Sequence, residues 1–134
     1  MISACDIRYC AKDTKFTIKE VDVGLAADVG TLQRFPKVVG NDSWTRELAY
    51  TARNFDSAEA LEKGFVSKVL DTREQCIEEA IKLATFIASK SPVAVTASKQ
   101  SLNYSRDHSV QEGLDHIATI NAVMLQTDDL AKSA

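Results

Sequence analysis

A succession of helix-start signals constrains the fold of this chain more than any other feature of its sequence. The predicted starts are Ser43, Asp56 or Ser57, Thr72, Ser91 and Ser109. Thr72–Gln75 and Ser109–Glu112 have the spacing of a capping box, in which two side chains bond the open N–H groups of a first helical turn. Gly64 stands where a helix-terminating glycine is expected, and Pro92 occupies a first helical position. From about residue 43 onward the sequence therefore predicts mainly helices.

Residues 1 to about 40 have a different pattern, with short extended runs separated by loops. Ile7–Cys10 and Lys15–Lys19 alternate in residue type with the period of a strand, and Val66–Leu70 is a further predicted strand. So few strands make a poor sheet without additional strands or a covering helix. Because Met1 leads almost directly into the apolar, strand-prone run Ile2–Cys10, we expect that polypeptide upstream supplies a larger sheet. The predicted fold class is α/β, with a few short strands followed by a mostly helical C-terminal region.

Composition excludes several classes of function. The chain has 134 residues, 45% of them hydrophobic and 26% charged, as in an ordinary globular domain. Its net charge of -3 and scattered basic residues give no reason to expect a nucleic-acid partner, and no apolar run is long enough to cross a membrane. Cys5, Cys10 and Cys76 fit neither a disulfide framework nor, with His108 and His116 distant in sequence, a metal site. We expect no metal and a reducing compartment.

Two carboxylates are the candidate catalytic residues. Glu20 and Asp28 lie in a run that otherwise contains mainly valine, leucine, alanine and glycine. Apolar surroundings disfavour the ionised form of a carboxyl group, so such a group exchanges protons with weak carbon acids near neutral pH. In the alternative interpretation, Asp28 caps a short helix beginning at Val29, and Glu20 or Asp22 ends a strand in water. Spacing alone leaves both interpretations open.

The remaining polar residues suggest no competing active site. His108 lies at a polar helix boundary and His116 lies beside Asp115, so we expect capping or surface roles for both. No serine occupies a Gly-x-Ser-x-Gly turn, and no glycine spacing fits a phosphate-binding loop.

Several stretches of the sequence resemble one enzyme family over nearly the whole chain. They are Ala4–Cys10, Phe16, Glu20, Gly24-Leu25, Gly30, Gln33-Arg34, Leu48–Thr51, Ala58–Ala60, Gly64–Val66 and Ser91–Ala94 with Lys99. They resemble the enoyl-CoA hydratase/isomerase (crotonase) family. Typical hydratases have a small residue where this chain has Asp28, whereas the Δ3,5-Δ2,4-dienoyl-CoA isomerases have aspartate. The stretches 28–34, 104–109 and 125–130 are also similar to that branch.

The resemblance implies a fold and an assembly. Residues 1–70 are expected to be the C-terminal portion of the ββα-spiral core, with the upstream part missing, and residues 71–134 a helical oligomerisation region. A homotrimer or hexamer through these helices is implied. The location implied is peroxisomal or mitochondrial, although the chain shows no clear address and its last residues, Lys132-Ser133-Ala134, fall short of a peroxisomal signal.

The resemblance also implies a reaction. Glu20 and Asp28 are expected to shift the conjugated double bonds of a 3,5-dienoyl-CoA to the 2,4-positions by proton transfer, Glu20 at C2 and Asp28 at C6, or with these roles exchanged. No cofactor is implied, because the substrate itself carries coenzyme A. The family's oxyanion donors precede Met1, so we expect weak or no activity from the isolated chain. Two alternatives stay open: a hydratase-like enzyme in which Asp28 is only a cap, and a non-catalytic, trimer-forming truncated homologue.

Overall fold

The computed structural model describes residues 1–127, and the chain divides into two compact units. The first unit comprises Met1–Ala80 and the second begins at Ile81. This division falls ten residues beyond the sequence-based boundary at residue 70. The roles assigned to the two regions, spiral core and oligomerisation, stay predictions. Residues 128–130 of the family-like stretch 125–130 lie outside the described residues. The C-terminal residues Lys132, Ser133 and Ala134 also lie outside them.

The first unit contains four short strands, three helices and the start of a fourth. Its strands are β1 (Tyr9–Ala11), β2 (Lys15–Phe16), β3 (Phe55–Asp56) and β4 (Lys68–Leu70). Its helices are α1 (Thr31–Val39), α2 (Asp42–Thr51), α3 (Ser57–Glu62) and the first half of α4 (Arg73–Ala88). The predicted strands exist but are shorter than their sequence patterns. Ile2–Ala4 is a 3-10 turn rather than part of an extended run. β3 was not anticipated, and a helix near α1 was expected only in the alternative interpretation of Asp28, with its start at Val29.

Strand pairing brings distant parts of the first unit together. β1 lies parallel to β4 with Cys10 opposite Val69, and β2 lies antiparallel to β3 with Phe16 opposite Phe55. Each pair is a sheet of only two strands among the described residues. Two-stranded sheets are marginal on their own, so packing of the surrounding helices must hold them in place.

Aromatic side chains contribute to that packing. Phe35 of α1 lies between Trp44 and Phe65, with ring centroids at 5.5 Å and 4.8 Å. Phe16 of β2 stacks on Phe55 of β3 with ring centroids 5.2 Å apart, so the aromatic cluster includes residues of both strands. Ring pairs at these separations add to the free energy gained by burial. The first unit therefore has a continuous core, and α1 is fixed to it by one deeply buried side chain.

The helix starts follow the sequence signals with one correction. The side chains of Asp56, Ser91 and Ser109 cap α3, α5 and α6, and the capping box of Ser109 with Glu112 is complete. The start of α2 was placed wrongly at Ser43. Asn41 is the cap, because its Oδ1 accepts a hydrogen bond from Trp44 N at 3.0 Å and the helix begins at Asp42.

The second unit contains the rest of α4 together with α5 (Pro92–Ser105) and α6 (Val110–Met124). α5 and α6 approach closely where a Cβ on Gly113 would meet Ser105 Oγ at 2.8 Å. The Tyr104 ring stacks on His108 and His116, with centroids at 3.6 Å and 4.0 Å. The two histidines therefore link α5 to α6. This stack was not predicted from the sequence, because its three rings come from α5, from the loop that follows it and from α6.

Candidate active site

Buried residues fix both ends of the segment that carries the candidate carboxylates. Ile18 and Ala27 are each 6% exposed and belong to the aromatic core cluster. Glu20 follows Ile18 by two residues and opens a 3-10 turn, and Asp28 directly follows Ala27. Gly24 ends the turn at a φ of 76°, a left-handed conformation that glycine adopts without a steric penalty. The backbone near each carboxylate is thereby held against the core.

Hydrogen bonds to one backbone carbonyl group are a second set of contacts that restrain the segment. Ala52 O, at the end of α2, accepts hydrogen bonds from Thr17 Oγ1 at 3.0 Å and from Lys19 Nζ at 3.2 Å. Lys19 Nζ also lies 2.7 Å from an oxygen of Asp22. Lys19 directly precedes Glu20, so these contacts restrain the backbone from which the Glu20 side chain projects.

Glu20 and Asp28 differ from the third acid of the segment in having no structural partner. Asp22 is paired with Lys19. Within residues 1–127, by contrast, the side chains of Glu20 and Asp28 form no hydrogen bond and no ion pair. No contact within the described residues engages either side chain, whereas Asp22 has a structural contact.

The interpretation of Asp28 as a helix cap is wrong. The helix begins at Thr31 rather than Val29, and its capping position is Gly30, which makes no side-chain capping bond. Gly30 has a φ of 91°, and a Cβ there would lie 1.9 Å from Arg34 Nη1. The left-handed backbone conformation at position 30 favours glycine. Asp28 lies two residues before this capping position and makes no capping bond.

The surroundings of the pair are more open than the sequence suggested. Glu20 is half-buried and Asp28 is exposed. The neighbouring Val23, Leu25 and Val29 are 72%, 64% and 73% exposed. The expected apolar enclosure is therefore not formed by the described residues, because the apolar side chains point to solvent. The carboxylates are positioned, but the chain by itself does not remove them from water.

Other candidate sites are weak in the part of the chain that the structure describes. No group of histidine, cysteine and acidic side chains there fits a metal ion. None of its helices has the length and hydropathy of a membrane span. Cys5, Cys10 and Cys76 are free thiols, and burial raises the pKa of Cys10. A groove of about 430 Å³ between α5 and α6 is lined mainly by Val93, Ala97, Ile117 and Met124 in the second unit.

An ion-pair network adjoins the carbonyl group that restrains Lys19. Arg53, the residue after Ala52, donates to Glu59 at 2.6 Å and to Glu47 at 2.6 Å. Trp44 Nε1 also donates to Glu59, at 2.8 Å. The hydrogen bonds from Arg53 are the main cause that lowers the pKa of Glu59 to about 2. The pair raises the pKa of Arg53 in turn.

We expect Glu59→Gln to reduce the free energy of unfolding at pH 7 by about 1–2 kcal/mol, because glutamine keeps the bond from Trp44 but loses the ion pair. A lowered pKa in the folded state stabilises the fold above the ordinary value of 4.5, and this contribution is lost as the pH falls towards 2. Urea unfolding at pH 7 and pH 3 measures the difference. Glu62→Gln is the control, since Glu62 is 71% exposed and pairs with its neighbour Lys63 at the surface. Equal effects of the two substitutions would contradict the assigned network.

Comparison with known proteins places this geometry in one family. Residues 1–134 match the family described as enoyl-CoA hydratase/isomerase. The mitochondrial Δ(3,5)-Δ(2,4)-dienoyl-CoA isomerase of Homo sapiens is 59% identical over 133 residues, 99% of this chain and 40% of that protein. A peroxisomal protein of the same activity name from Arabidopsis thaliana is 49% identical over 97% of this chain and 46% of that protein. The chain thus spans less than half the length of these relatives.

Solved structures show the same fold. An enoyl-CoA hydratase from Bacillus anthracis superposes with a TM-score of 0.91 and 28% identity, covering 98% of this chain and 50% of that one. This confirms the fold class expected from the sequence. The human and plant relatives confirm the resemblance to the dienoyl-CoA isomerases.

Proposed function

Since the chain belongs to the enoyl-CoA hydratase/isomerase family, we propose that it contributes the two proton-transferring carboxylates of a dienoyl-CoA isomerase. The substrate is a 3,5-dienoyl-CoA and the product is the 2,4-dienoyl-CoA. The observation that carries this proposal is the position of Glu20 and Asp28 and the absence of partners for their side chains within the described residues. Both are fixed next to buried residues, and neither side chain has a structural partner within residues 1–127.

The reaction needs one proton acceptor and one proton donor. Glu20, as carboxylate, accepts a proton from C2, and the electrons of that C–H bond form a dienolate with its charge on the thioester oxygen. Asp28, as carboxylic acid, donates its proton to C6 while the double bonds move to C2–C3 and C4–C5. The net change is an isomerisation without an oxidant or cofactor. Solvent then restores the starting protonation of the two groups.

Stabilisation of the thioester oxygen must come from backbone N–H groups, and this is usually the largest contribution to such a reaction. We expect those donors in the part of the family fold that lies outside the match. Since the carboxylates are also open to water here, the isolated 134-residue polypeptide should have little or no isomerase activity. Full turnover by the isolated chain would overturn this expectation.

A chimaera tests the proposed activity without depending on the isolated chain. In it, this chain replaces the matched part of the human relative, to which it is 59% identical. We expect the chimaera to isomerise a 3,5-dienoyl-CoA, followed by the absorbance of the newly conjugated thioester, at a rate within about tenfold of the human parent. A folded chimaera without activity, beside an active parent, would reject the proposal.

A hydratase activity is the second candidate, because the structural relative from Bacillus anthracis is an enoyl-CoA hydratase. The same chimaera distinguishes the two activities. Hydration of a 2-enoyl-CoA without isomerisation of the 3,5-diene would favour the hydratase. The aspartate at position 28, unused as a helix cap, favours the isomerase.

We also propose that the second unit forms an oligomer, as a trimer or hexamer. Its helices leave large apolar side chains exposed, among them Leu102, Leu114 and Val123. Faces of this kind mark protein–protein contacts. The substitution Leu114→Asp should reduce the assembly of the chimaera to monomers in size-exclusion chromatography with light scattering. Lys82→Ala on exposed α4 is the control, and an unchanged assembly in Leu114→Asp would exclude α6 from the interface.

Relatives named mitochondrial and peroxisomal support a location in one of these two organelles. Family members work on acyl-CoA thioesters, so fatty-acid β-oxidation is the proposed process.

A further inference from the structure

We propose that the backbone carbonyl group of Ala52 positions Glu20 for the removal of the C2 proton, acting through the side chains of Thr17 and Lys19. Thr17 and Lys19 are then positioning residues, which assist this step without exchanging a proton themselves. The inference rests on the proposed function, because it assigns to these residues an effect on the reaction of Glu20.

The backbone conformation of Ala52 is strained. Its φ of 50° and ψ of 20° are left-handed, and within residues 1–127 it is the one non-glycine residue with a positive φ. Glycine is the usual residue in this conformation at a helix end, because a Cβ makes it costly in free energy. Strain of this kind is kept where the surrounding structure over-determines it, and it is common beside functional groups. At Ala52 it sets the direction of the carbonyl group.

That carbonyl group is buried and is bound by side chains. Ala52 is 1% exposed, and carbonyl groups at the end of a helix have no partner within the helix. Within residues 1–127, the donors to Ala52 O are Thr17 Oγ1 at 3.0 Å and Lys19 Nζ at 3.2 Å. A buried carbonyl without a donor destabilises the folded state. Folding therefore favours the conformation in which both side chains reach this oxygen.

The acceptor is itself fixed by contacts of its two neighbours in the chain. Thr51 Oγ1 donates to Glu47 O at 2.7 Å within α2. Arg53 donates to the side chains of Glu47 and Glu59, both at 2.6 Å. Ala52 lies between these two anchored residues, so its carbonyl oxygen is a fixed point to which another segment can bind.

The chain leading to Glu20 is restrained by contacts of alternating side chains. Ile18 is buried in the core cluster, whereas Thr17 and Lys19 bind the fixed carbonyl group. After Glu20, its own carbonyl group accepts a hydrogen bond from Leu25 N at 3.1 Å. The Glu20 backbone is thus restrained on both sides, as a group that transfers a proton to or from a bound substrate requires.

Substitutions at the two donors, made in the chimaera, test the inference. Thr17→Val removes one donor without changing charge, and we expect kcat for isomerisation to fall about fivefold with KM within about twofold of the parent. Thr17→Val combined with Lys19→Met leaves the buried carbonyl unpaired. We expect this double substitution to lower kcat about 10²-fold, more than the product of its single effects, because a misplacement of about 1 Å has an effect of that size.

Two variants are the controls. Thr17→Ser retains the hydroxyl donor and should keep kcat within about twofold of the parent. Thr51→Val makes the same chemical change one residue before Ala52, where the hydroxyl bonds within α2, and should also keep kcat within about twofold. A purely structural role of Thr17 would lower the melting temperature of Thr17→Val without changing kcat at temperatures where the protein is folded, and would contradict the inference.

Amide hydrogen exchange of the 134-residue chain, followed by NMR, separates this inference from the proposed function. The reporter is the Leu25 amide, which donates to Glu20 O, and we expect it to exchange at least about tenfold faster in the double variant. An unchanged exchange rate, or an unchanged kcat of Thr17→Val in an active chimaera, overturns the inference. Faster exchange beside an inactive parent chimaera would reject the proposed function but support the restraint of Glu20 by Ala52.

Discussion

Asp28→Asn in the chimaera is expected to lower kcat for isomerisation by about 10²–10⁴-fold, the usual contribution of a positioned proton-transfer group. An asparagine amide neither donates nor accepts the proton needed at C6. The loss should not come from unfolding, because Asp28 is exposed and caps no helix. KM should change little, since the substitution keeps the size of the side chain. Steady-state kinetics with a thermal melt of each variant measure these quantities.

Asp22→Asn is the matched control. Asp22 lies in the same segment, but its carboxylate is paired with Lys19 at the surface. We expect kcat within about threefold of the parent, because an exposed ion pair contributes little to stability. If both substitutions reduced kcat equally, the segment rather than the Asp28 carboxyl group would be responsible, and the assignment of Asp28 would be wrong.

Phe35→Ala is expected to destabilise the first unit by about 3–5 kcal/mol, which is typical of removing a buried aromatic ring. Phe35 is 2% exposed and contacts the rings of Trp44, Phe55 and Phe65. It is the one fully buried residue of α1, the helix that follows Asp28. A loss of this size is a large part of the stability of a small domain. Urea unfolding followed by tryptophan fluorescence measures it through Trp44.

Leu32→Ala on the same helix is the control that separates the effect of losing a buried side chain from the effect of changing helix propensity. Leu32 is exposed, and alanine forms helices at least as well as leucine, so a change below about 1 kcal/mol is expected. Similar losses for Phe35→Ala and Leu32→Ala would contradict the account of how α1 is held.

Local chemistry explains why most helices were predictable from the sequence. Asp56, Ser91 and Ser109 act as caps through short-range bonds, which depend on neighbouring residues only. The start at Asn41 was missed because serine and asparagine are both good caps, and the sequence does not choose between them. The bounds of α1 were missed because Gly30 gives its first turn no side-chain cap and Pro36 interrupts its pattern.

The sequence allowed the residues of the candidate site to be proposed, but not their surroundings. Glu20 and Asp28 were identified by their type, spacing and family pattern. Whether the valines and leucines around them enclose or expose the pair depends on contacts between distant segments. The bonds from Thr17 and Lys19 to Ala52 span more than thirty residues, and no sequence period encodes them. β3 likewise depends on its partner β2, because a two-residue strand has no pattern of its own.

The direct test of the central claim is hydrogen exchange with the chimaera in D2O, followed by NMR of the substrate and product. Asp28→Asn should still exchange hydrogen at C2 of the 3,5-dienoyl-CoA, because Glu20 forms the dienolate, but should deliver no deuterium to C6. Glu20→Gln should abolish both processes. Exchange at C2 that survives in Glu20→Gln but not in Asp28→Asn would reverse the two roles. Full isomerisation by either variant would contradict the claim that this pair of carboxylates moves the double bonds.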